Sequence, residues 1–443
     1  MVSEWFTTTL GNICALQGGS IQTGPFGSQL HASDYKVTGT PVVMPANIGD
    51  GRVVEENIAR IHTTDADRLS QHKLQCGDIV LSRRGDVTRN ALVGLREEGW
   101  LCGTGCLKVR LGDERHAQSR FIAYYLRSPD AKEWLVRHAV GATMPNLNTA
   151  ILSAVPVLLP PLSVQDDVTS ILSGLDDKIA LLRETNATLE AIAQAIFKSW
   201  FVDFDPVRAK AEGREPEGMP PEIAELFPSE FEDSELGEIP KGWQVKRLDQ
   251  TCEISPTRRL SKGVGASYLE MAKIPTQGHR PEALITRTFS SGTKFINGDT
   301  LLARITPCLE NGKTAFVDFL EGNEVGWGST EYVVLRTKPP LPHYWAYLLC
   351  RHMPFRQFAI QAMVGTSGRQ RIEVSRLAQY SVVYPDRGVA NAFAEVVELL
   401  RGRIAANDEA EKTLSNVRDS ILPRLMSGKL RLADADLKGE VAS

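Results

Sequence analysis

Apolar residues fall at alternating steps of three and four through "LSGLDDKIALLRETNATLEAIAQAIFKSW". Leu172, Leu175, Ile179, Leu182, Leu189, Ala193, Ile196 and Trp200 define one stripe, with Asn186 the single polar residue in it. A stripe of this period is the seam of a coiled coil. Upstream, Pro160 and Pro161 close a short apolar run, and Ser163 followed by Asp166 has the form of an N-cap with an acidic first turn. A helix is therefore predicted from Ser163 to about Phe201, where Pro206 and a change of composition follow. About 40 residues at about 1.5 Å each make a rod of about 60 Å, which needs a partner along its length.

The chain supplies that partner. "NATLEAIAQAIFKSWF" and "EKTLSNVRDSILPRLM" match at a constant offset of 225 residues, so that Leu175 corresponds to Leu400, Ile179 to Ile404, Leu189 to Leu414, Ile196 to Ile421 and Trp200 to Leu425. A second long helix is predicted from about Val389 to Met426, with Asn407, Glu411 and Arg418 at seam positions and Pro423 bending or ending its last turn. The correspondence extends upstream. "FIAYYLRSPDAKEWLVRHAVGATMPNLN" pairs with "YWAYLLCRHMPFRQFAIQAMVGTSGRQRI", and "GDIVLSRRGDVTRNALV" with "GDTLLARITPCLENGKTAFV". An internal repeat follows.

The expected fold is α+β. Two similar α/β domains, 1–155 and 237–385, are separated by two long helices, 156–202 and 386–430, with a linker at 203–236 and a C-terminal tail at 431–443. Two such rods can pair antiparallel as a coiled-coil spacer with a pseudo-twofold axis. That arrangement brings Asn186 close to Asn407, and a buried Asn fixes register at a cost in stability.

Composition narrows the class. A chain of 443 residues, 42% hydrophobic and with net charge -4, has enough apolar content for two or three globular domains. "MVSEWFTTTLGN" lacks a basic region followed by an apolar run, and no stretch approaches the roughly 18 apolar residues of a membrane span, so a cytoplasmic protein is expected. Seven scattered cysteines read as reduced thiols; Cys102 and Cys106 find no second Cys/His pair to complete a metal site. Charge is uneven along the chain. Residues 1–155 carry 16 Lys+Arg against 15 Asp+Glu, residues 237–384 carry 19 against 12, and the linker 3 against 11. The acidic, Pro-rich linker reads as a solvated strap.

Catalytic signatures are missing from the sequence. It contains no GxxxxGK[ST] loop, no Gly-rich cofactor loop after a strand and no Asn/Asp-Pro-Pro-Tyr motif; "DFDPVR" lacks the aromatic that would hold a flipped base, and the eight His stand singly. No metal site and no cofactor bound by this chain are expected.

"LPPLSVQDDV" leading into "AIAQAIFKSWFVDFDPVRAK", with "GPFGSQLHASDY", "PVVMPANIGDG", "IPKGWQVKRL", "ARITPCLENGKTAFV", "GWGSTEYVVLR" and "GTSGRQRI", resembles the specificity subunits of type I restriction-modification systems. The resemblance covers nearly the whole chain. It implies that each domain is a target-recognition domain for one half of a bipartite site in double-stranded DNA. It further implies that the helices dock two methyltransferase subunits and, through them, restriction/motor subunits, which use S-adenosylmethionine, ATP and Mg. A stand-alone bipartite DNA-binding regulator is the alternative.

Reading DNA requires cations for phosphates and Arg, Lys, Asn or Gln on loops that reach base edges. In the first domain the candidates are Gln22, Thr23, Ser28 and Lys36 on early loops, Arg83, Arg84 and Arg89 on the turn after "GDIVLS", and Thr143, Asn146 and Asn148 in "GATMPNLN". The second domain offers Arg258, Arg259 and Lys262 early, Arg304 and Thr306 on the related turn, and Ser367, Arg369, Gln370 and Arg371 in "TSGRQRI". Helix pairing is assigned to Leu175, Ile179, Leu182, Asn186, Leu189 and Ile196 against Leu400, Ile404, Asn407, Leu414 and Ile421.

Overall fold

"GDIVLS" and "GDTLLA" each place a run of apolar residues after a buried aspartate, and each run becomes an inner strand of a four-stranded antiparallel sheet. The computed structural model describes residues 5–141, 143–281, 284–366 and 368–431. One sheet has the order Gly18–Thr23, Cys106–Gly112, Ile79–Ser82, Asn90–Leu92; the other has Cys252–Ile254, Tyr332–Thr337, Thr300–Ala303, Thr314–Phe316. Ile79–Ser82 and Thr300–Ala303 are buried at every residue, which explains why their sequences do not alternate. Asp78 accepts from the backbone of Gln75 and pairs with Arg110; Asp299 accepts from the backbone of Ile296 and pairs with Arg336.

The repeat extends to every other layer. A second sheet carries one parallel pair in each half, Thr40–Val43 with Leu101–Cys102 and Gly265–Leu269 with Gly326–Gly328. A two-stranded ribbon closes each half, Phe6–Thr9 with Pro156–Leu159 and Gln244–Arg247 with Ser381–Tyr384. The helices Ser119–Arg127 and Tyr344–Arg351 pack buried faces on the main sheets.

The two long helices run Leu162–Phe201 and Arg387–Met426. Ser163 is not the N-cap; it lies inside the first turn, where the Pro161 carbonyl accepts from Val164 N and Gln165 N. The start is held instead by the fully buried Gln165 amide, which donates to His116 O and Pro160 O and accepts from Gln118 N. The second helix continues through Pro423 to Met426.

The chain forms two compact units, Met1–Ile179 with Lys412–Ser443, and Ala180–Glu411, so each long helix contributes to both. Within the second unit Arg183 binds Glu411, Asn407 Nδ2 donates to Asn186 Oδ1 at 2.8 Å, and Trp200 meets Phe393 at 5.7 Å. Within the first, Asp176 binds Arg418. Partner numbers climb one helix as they descend the other, which defines an antiparallel pair. Ile179, Ile404 and Asn407 are buried in it, whereas Leu175, Leu182, Asn186, Leu189, Ile196, Leu400, Leu414 and Ile421 are only half-buried. Phe197 and Leu422 are buried where the pattern pointed to Ile196 and Ile421, because a 3.6-residue helix drifts from a strict heptad seam and here turns toward the domain cores.

The linker departs from a solvated strap. Its Phe204, Val207 and Phe227 are buried among Trp200, Phe201, Trp243 and Phe393, and Phe227 meets Trp200 edge-on at 5.0 Å. The Lys210 ammonium donates to Ala224 O and Phe227 O, closing the linker on itself. Beyond residue 431 the tail lies outside the described residues.

A half-buried carboxylate sits beside the helix register. Asn186 Nδ2 donates to Asp408 Oδ1 at 2.7 Å, and burial pushes the Asp408 carboxyl up to about 6, against the pull of Arg280 and His279. An acid with a raised folded pKa is protonated more readily in the folded than in the unfolded state, so stability falls as pH rises from about 4 to about 6. Asp408→Asn is expected to remove that slope and to stabilise the protein by about 1–3 kcal/mol at pH 7.5, read from urea unfolding across pH. An identical pH slope in variant and parent would contradict it.

Candidate DNA-reading loops

In each domain the turn leaving the buried central strand is stitched to two other loops by backbone bonds. In the first, Arg83 N donates to Gly105 O (2.8 Å) and Leu147 N donates to Arg83 O (2.9 Å). In the second, Arg304 N donates to Glu331 O (2.9 Å) and Ile372 N to Arg304 O (2.8 Å). Short bridges add Arg84 to Asn146 and Ile305 to Arg371. The two scaffolds match position for position, and the side chains on them differ. Asn146 stands where the second half has Arg371, Arg84 where it has Ile305, and Gly105 where it has Glu331.

The first cluster is aromatic and polar. Arg83 Nε donates to Asn146 Oδ1 at 3.2 Å, and its guanidinium stacks 5.7 Å from the centre of the Phe26 ring. That contact brings the early loop carrying Ser28 into the cluster, and Thr104 Oγ1 ties it further by donating to Pro25 O. Arg84, Thr143, Gln22 and Ser28 are exposed; Arg89 and Thr23 are half-buried. Asn148 is exposed but caps the helix Thr149–Ser153, accepting from Ile151 N at 2.8 Å. Lys36 lies on the separate strand Tyr35–Lys36 and donates to Ser33 O.

The second cluster is ionic. Arg371 makes a bidentate pair with Glu331, Nε and Nη2 each 2.9 and 2.8 Å from Oε1, which holds the guanidinium in one orientation. Arg304 Nη2 donates to Ile372 O, while its Nε and the Thr306 hydroxyl are buried without a partner among the described residues. Thr306 N donates to Gln370 O, and Arg369 is exposed. Ser367 lies outside the described residues. Arg259 and Lys262 are exposed, but Arg258 is turned inward, its side chain 15% exposed and 3.1 Å from the buried Asp299 carboxylate. A guanidinium spent on a buried carboxylate is a fold contact, so Arg258 is corrected from a presented cation to a strut.

Sequence reasoning did not assign Phe26, Thr104 or Glu331. Glu331 lies in the quoted "GWGSTEYVVLR", yet nothing in that string shows that Arg371 will reach it. Among the described residues there is no cluster of three or more His, Cys, Asp or Glu able to hold a metal, and no helix long and apolar enough to cross a membrane. Burial pushes the Cys102 thiol up to about 12, as expected of inert reduced cysteine.

Two sheet-rich domains, each ending in one arm of an antiparallel helix pair and each displaying a different side-chain set on one loop scaffold, define an internally duplicated protein. Residues 2–191 match the family described as the type I restriction modification DNA specificity domain. That match takes in the first domain and most of the first long helix, and the proteins that the chain resembles over a longer span are specificity subunits of type I restriction enzymes. It is 25% identical to the type I restriction enzyme MjaIX specificity subunit of Methanocaldococcus jannaschii over 71% of this chain and 70% of that one. It is 24% identical to the HindI specificity subunit of Haemophilus influenzae over 70% and 77%. The crystal structure of the S subunit from M. genitalium superposes with a TM-score of 0.53 over 96% of both chains at 13% identity, a likeness of fold.

Proposed function

We propose that this chain is the DNA-reading component of a type I restriction-modification complex, each domain reading one half of a bipartite target. The observation that carries this is the matched loop scaffold with unlike side chains. A common frame fixes approach to the duplex, and the exchanged residues fix what each half prefers. The antiparallel helices act as the spacer between half-sites and as the docking surface for two methyltransferase subunits, with restriction/motor subunits joining through them. Adenine methylation and cleavage, with their S-adenosylmethionine, ATP and Mg, belong to those partners, and the complex works on cytoplasmic DNA. A lone regulator would need the domains but not helices 40 residues long.

Arg371 tests the reading, because Glu331 presents it in a fixed fork. Arg371→Ala is expected to weaken specific duplex binding by about 1–3 kcal/mol and to relax preference at one base position, whereas loss of a phosphate contact weakens all sequences alike. Fluorescence anisotropy on duplexes selected from a random library reads both. Unaltered affinity, preference and salt dependence in Arg371→Ala and Arg304→Ala would remove these loops from the interface.

A further inference from the structure

The two halves differ at one place beside the reading loops. In the second domain the Arg351 guanidinium, at the end of the helix Tyr344–Arg351, lies over the outer strand of the main sheet and donates to Thr276 O (2.6 Å), Gly312 O (2.9 Å) and Thr314 O (3.1 Å). Lys313 beside it donates to Met271 O and Ala272 O. Those cations are spent within the domain.

In the first domain the corresponding residues are Arg127, Arg89 and, for Thr314, Asn90. Arg127 points to Asp176 and Asp50 instead, at 3.0 and 2.9 Å. The space it does not cover is an open pocket of about 260 Å³, lined by Gly49, Asp50, Gly51, Asp86, Thr88, Arg89, Asn90, Arg127 and Lys132. Gly51 keeps it open on one side: its φ is +81°, and a Cβ there would come within 2.5 Å of the Arg127 guanidinium. Asn90 is 2% exposed, and neither the nitrogen nor the oxygen of its amide has a partner among the described residues. A buried amide is costly to leave unpaired, and this one lies in the wall of an open pocket from which a ligand could satisfy it. Arg89 and Lys132 are likewise without a side-chain hydrogen bond or ion pair among the described residues. Asp50 is neutralised by Arg127 and Arg418, and Asp86 accepts from Thr88.

We propose that this pocket binds a phosphate group, with Arg89, Lys132 and Asn90 supplying the donors. Three donors converging on one space beside a basic turn suit a tetrahedral anion with several acceptor oxygens, and charge-assisted bonds of this kind are the strong ones. Arg89 follows the strand turn that carries Arg83 and Arg84, so a phosphate of the DNA backbone is the natural occupant. That assignment rests on the DNA-reading function proposed above. A phosphate here would set the register of the first domain on the duplex without reading a base, and the second domain, its cations already spent, would lack the equivalent contact.

The test uses the full-length chain with Lys132→Ala and Arg89→Ala, both half-buried positions whose side chains have no partner to lose. Parent and variants are titrated with a duplex over a salt series, and separately with inorganic phosphate followed by thermal shift. The expected result is a slope of log affinity against log salt reduced by about 0.9 per variant, with binding about fivefold weaker for all sequences. An unchanged slope, with phosphate stabilisation present in the parent and lost in both variants, would place a free phosphate in the same pocket. No change in either measurement would overturn the proposal. If the parent itself fails to bind duplex, the DNA-reading function falls, and the phosphate titration still decides the pocket.

Discussion

Arg418→Ala is expected to destabilise the protein by about 3 kcal/mol. Arg418 lies on the second long helix with its side chain 9% exposed, and it binds Asp176 on the first long helix at 2.7 Å, Asp50 of the first domain at 2.8 Å and Asp419 at 2.8 Å. Asp50 and Asp419 are 53% and 63% exposed and add little, so the cost comes from the largely buried Arg418–Asp176 pair, where removing one member costs about 3–5 kcal/mol. The lower end applies because Arg127 and the Tyr124 hydroxyl still face Asp176. Burial by itself would raise the Asp176 pKa, but Arg127, Arg418 and Tyr124 outweigh it and hold the carboxyl below its ordinary value. A depressed folded pKa gives stability that is present above about pH 4 and lost as pH falls through the folded value. The gap between parent and variant should therefore narrow in acid. Guanidinium unfolding at pH 7 and pH 3 measures both. A loss below about 0.5 kcal/mol, independent of pH, would show that the network acts like an exposed pair.

The long helices were legible because their cause is local. Heptad spacing from Leu172 to Trp200 is visible in the string, the constant offset of 225 residues makes the second helix follow from the first, and matching stretches upstream relate the two domains. The antiparallel register was legible through one pair, Asn186 and Asn407, since two polar residues in apolar stripes are best placed against each other. What depends on distant partners was not. Arg418 is a seam irregularity in the sequence; that Asp50, more than 350 residues away, reaches it is a property of the fold. Arg258 looked like any loop cation until Asp299 was placed beneath it. The linker misled through averaging. Its 11 acidic residues conceal Phe204 and Phe227, which anchor it in the core of the second unit. Asn90 carried no signal, because an unpaired amide is recognisable only when its surroundings are known.

Of the site, the turn after each "GD" strand and the paired Asn146 and Arg371 positions could be read from the repeat. Phe26, Thr104 and Glu331 could not, because each acts through a contact between segments far apart in sequence. The candidate loops are therefore defined in position by the sequence and in orientation by the structure.

Independent reading by the two halves has the largest expected effect and is tested by exchange. Residues 1–155 are replaced with the matching domain of a type I specificity subunit that the chain resembles, leaving both long helices and residues 237–385 untouched, and duplexes are selected from a random library with the full chain in the presence of the proposed methyltransferase partner. Specific sites in such complexes are bound about 10³–10⁷ times more tightly than other DNA. The parent's site should therefore lose about 10³-fold or more in affinity, and the selected sequences should keep one half-site and the spacer while the other half-site changes to that of the donor. Selection of the parent's complete target by the exchanged chain, or a change in both half-sites together, would contradict a protein that reads DNA with two separate domains.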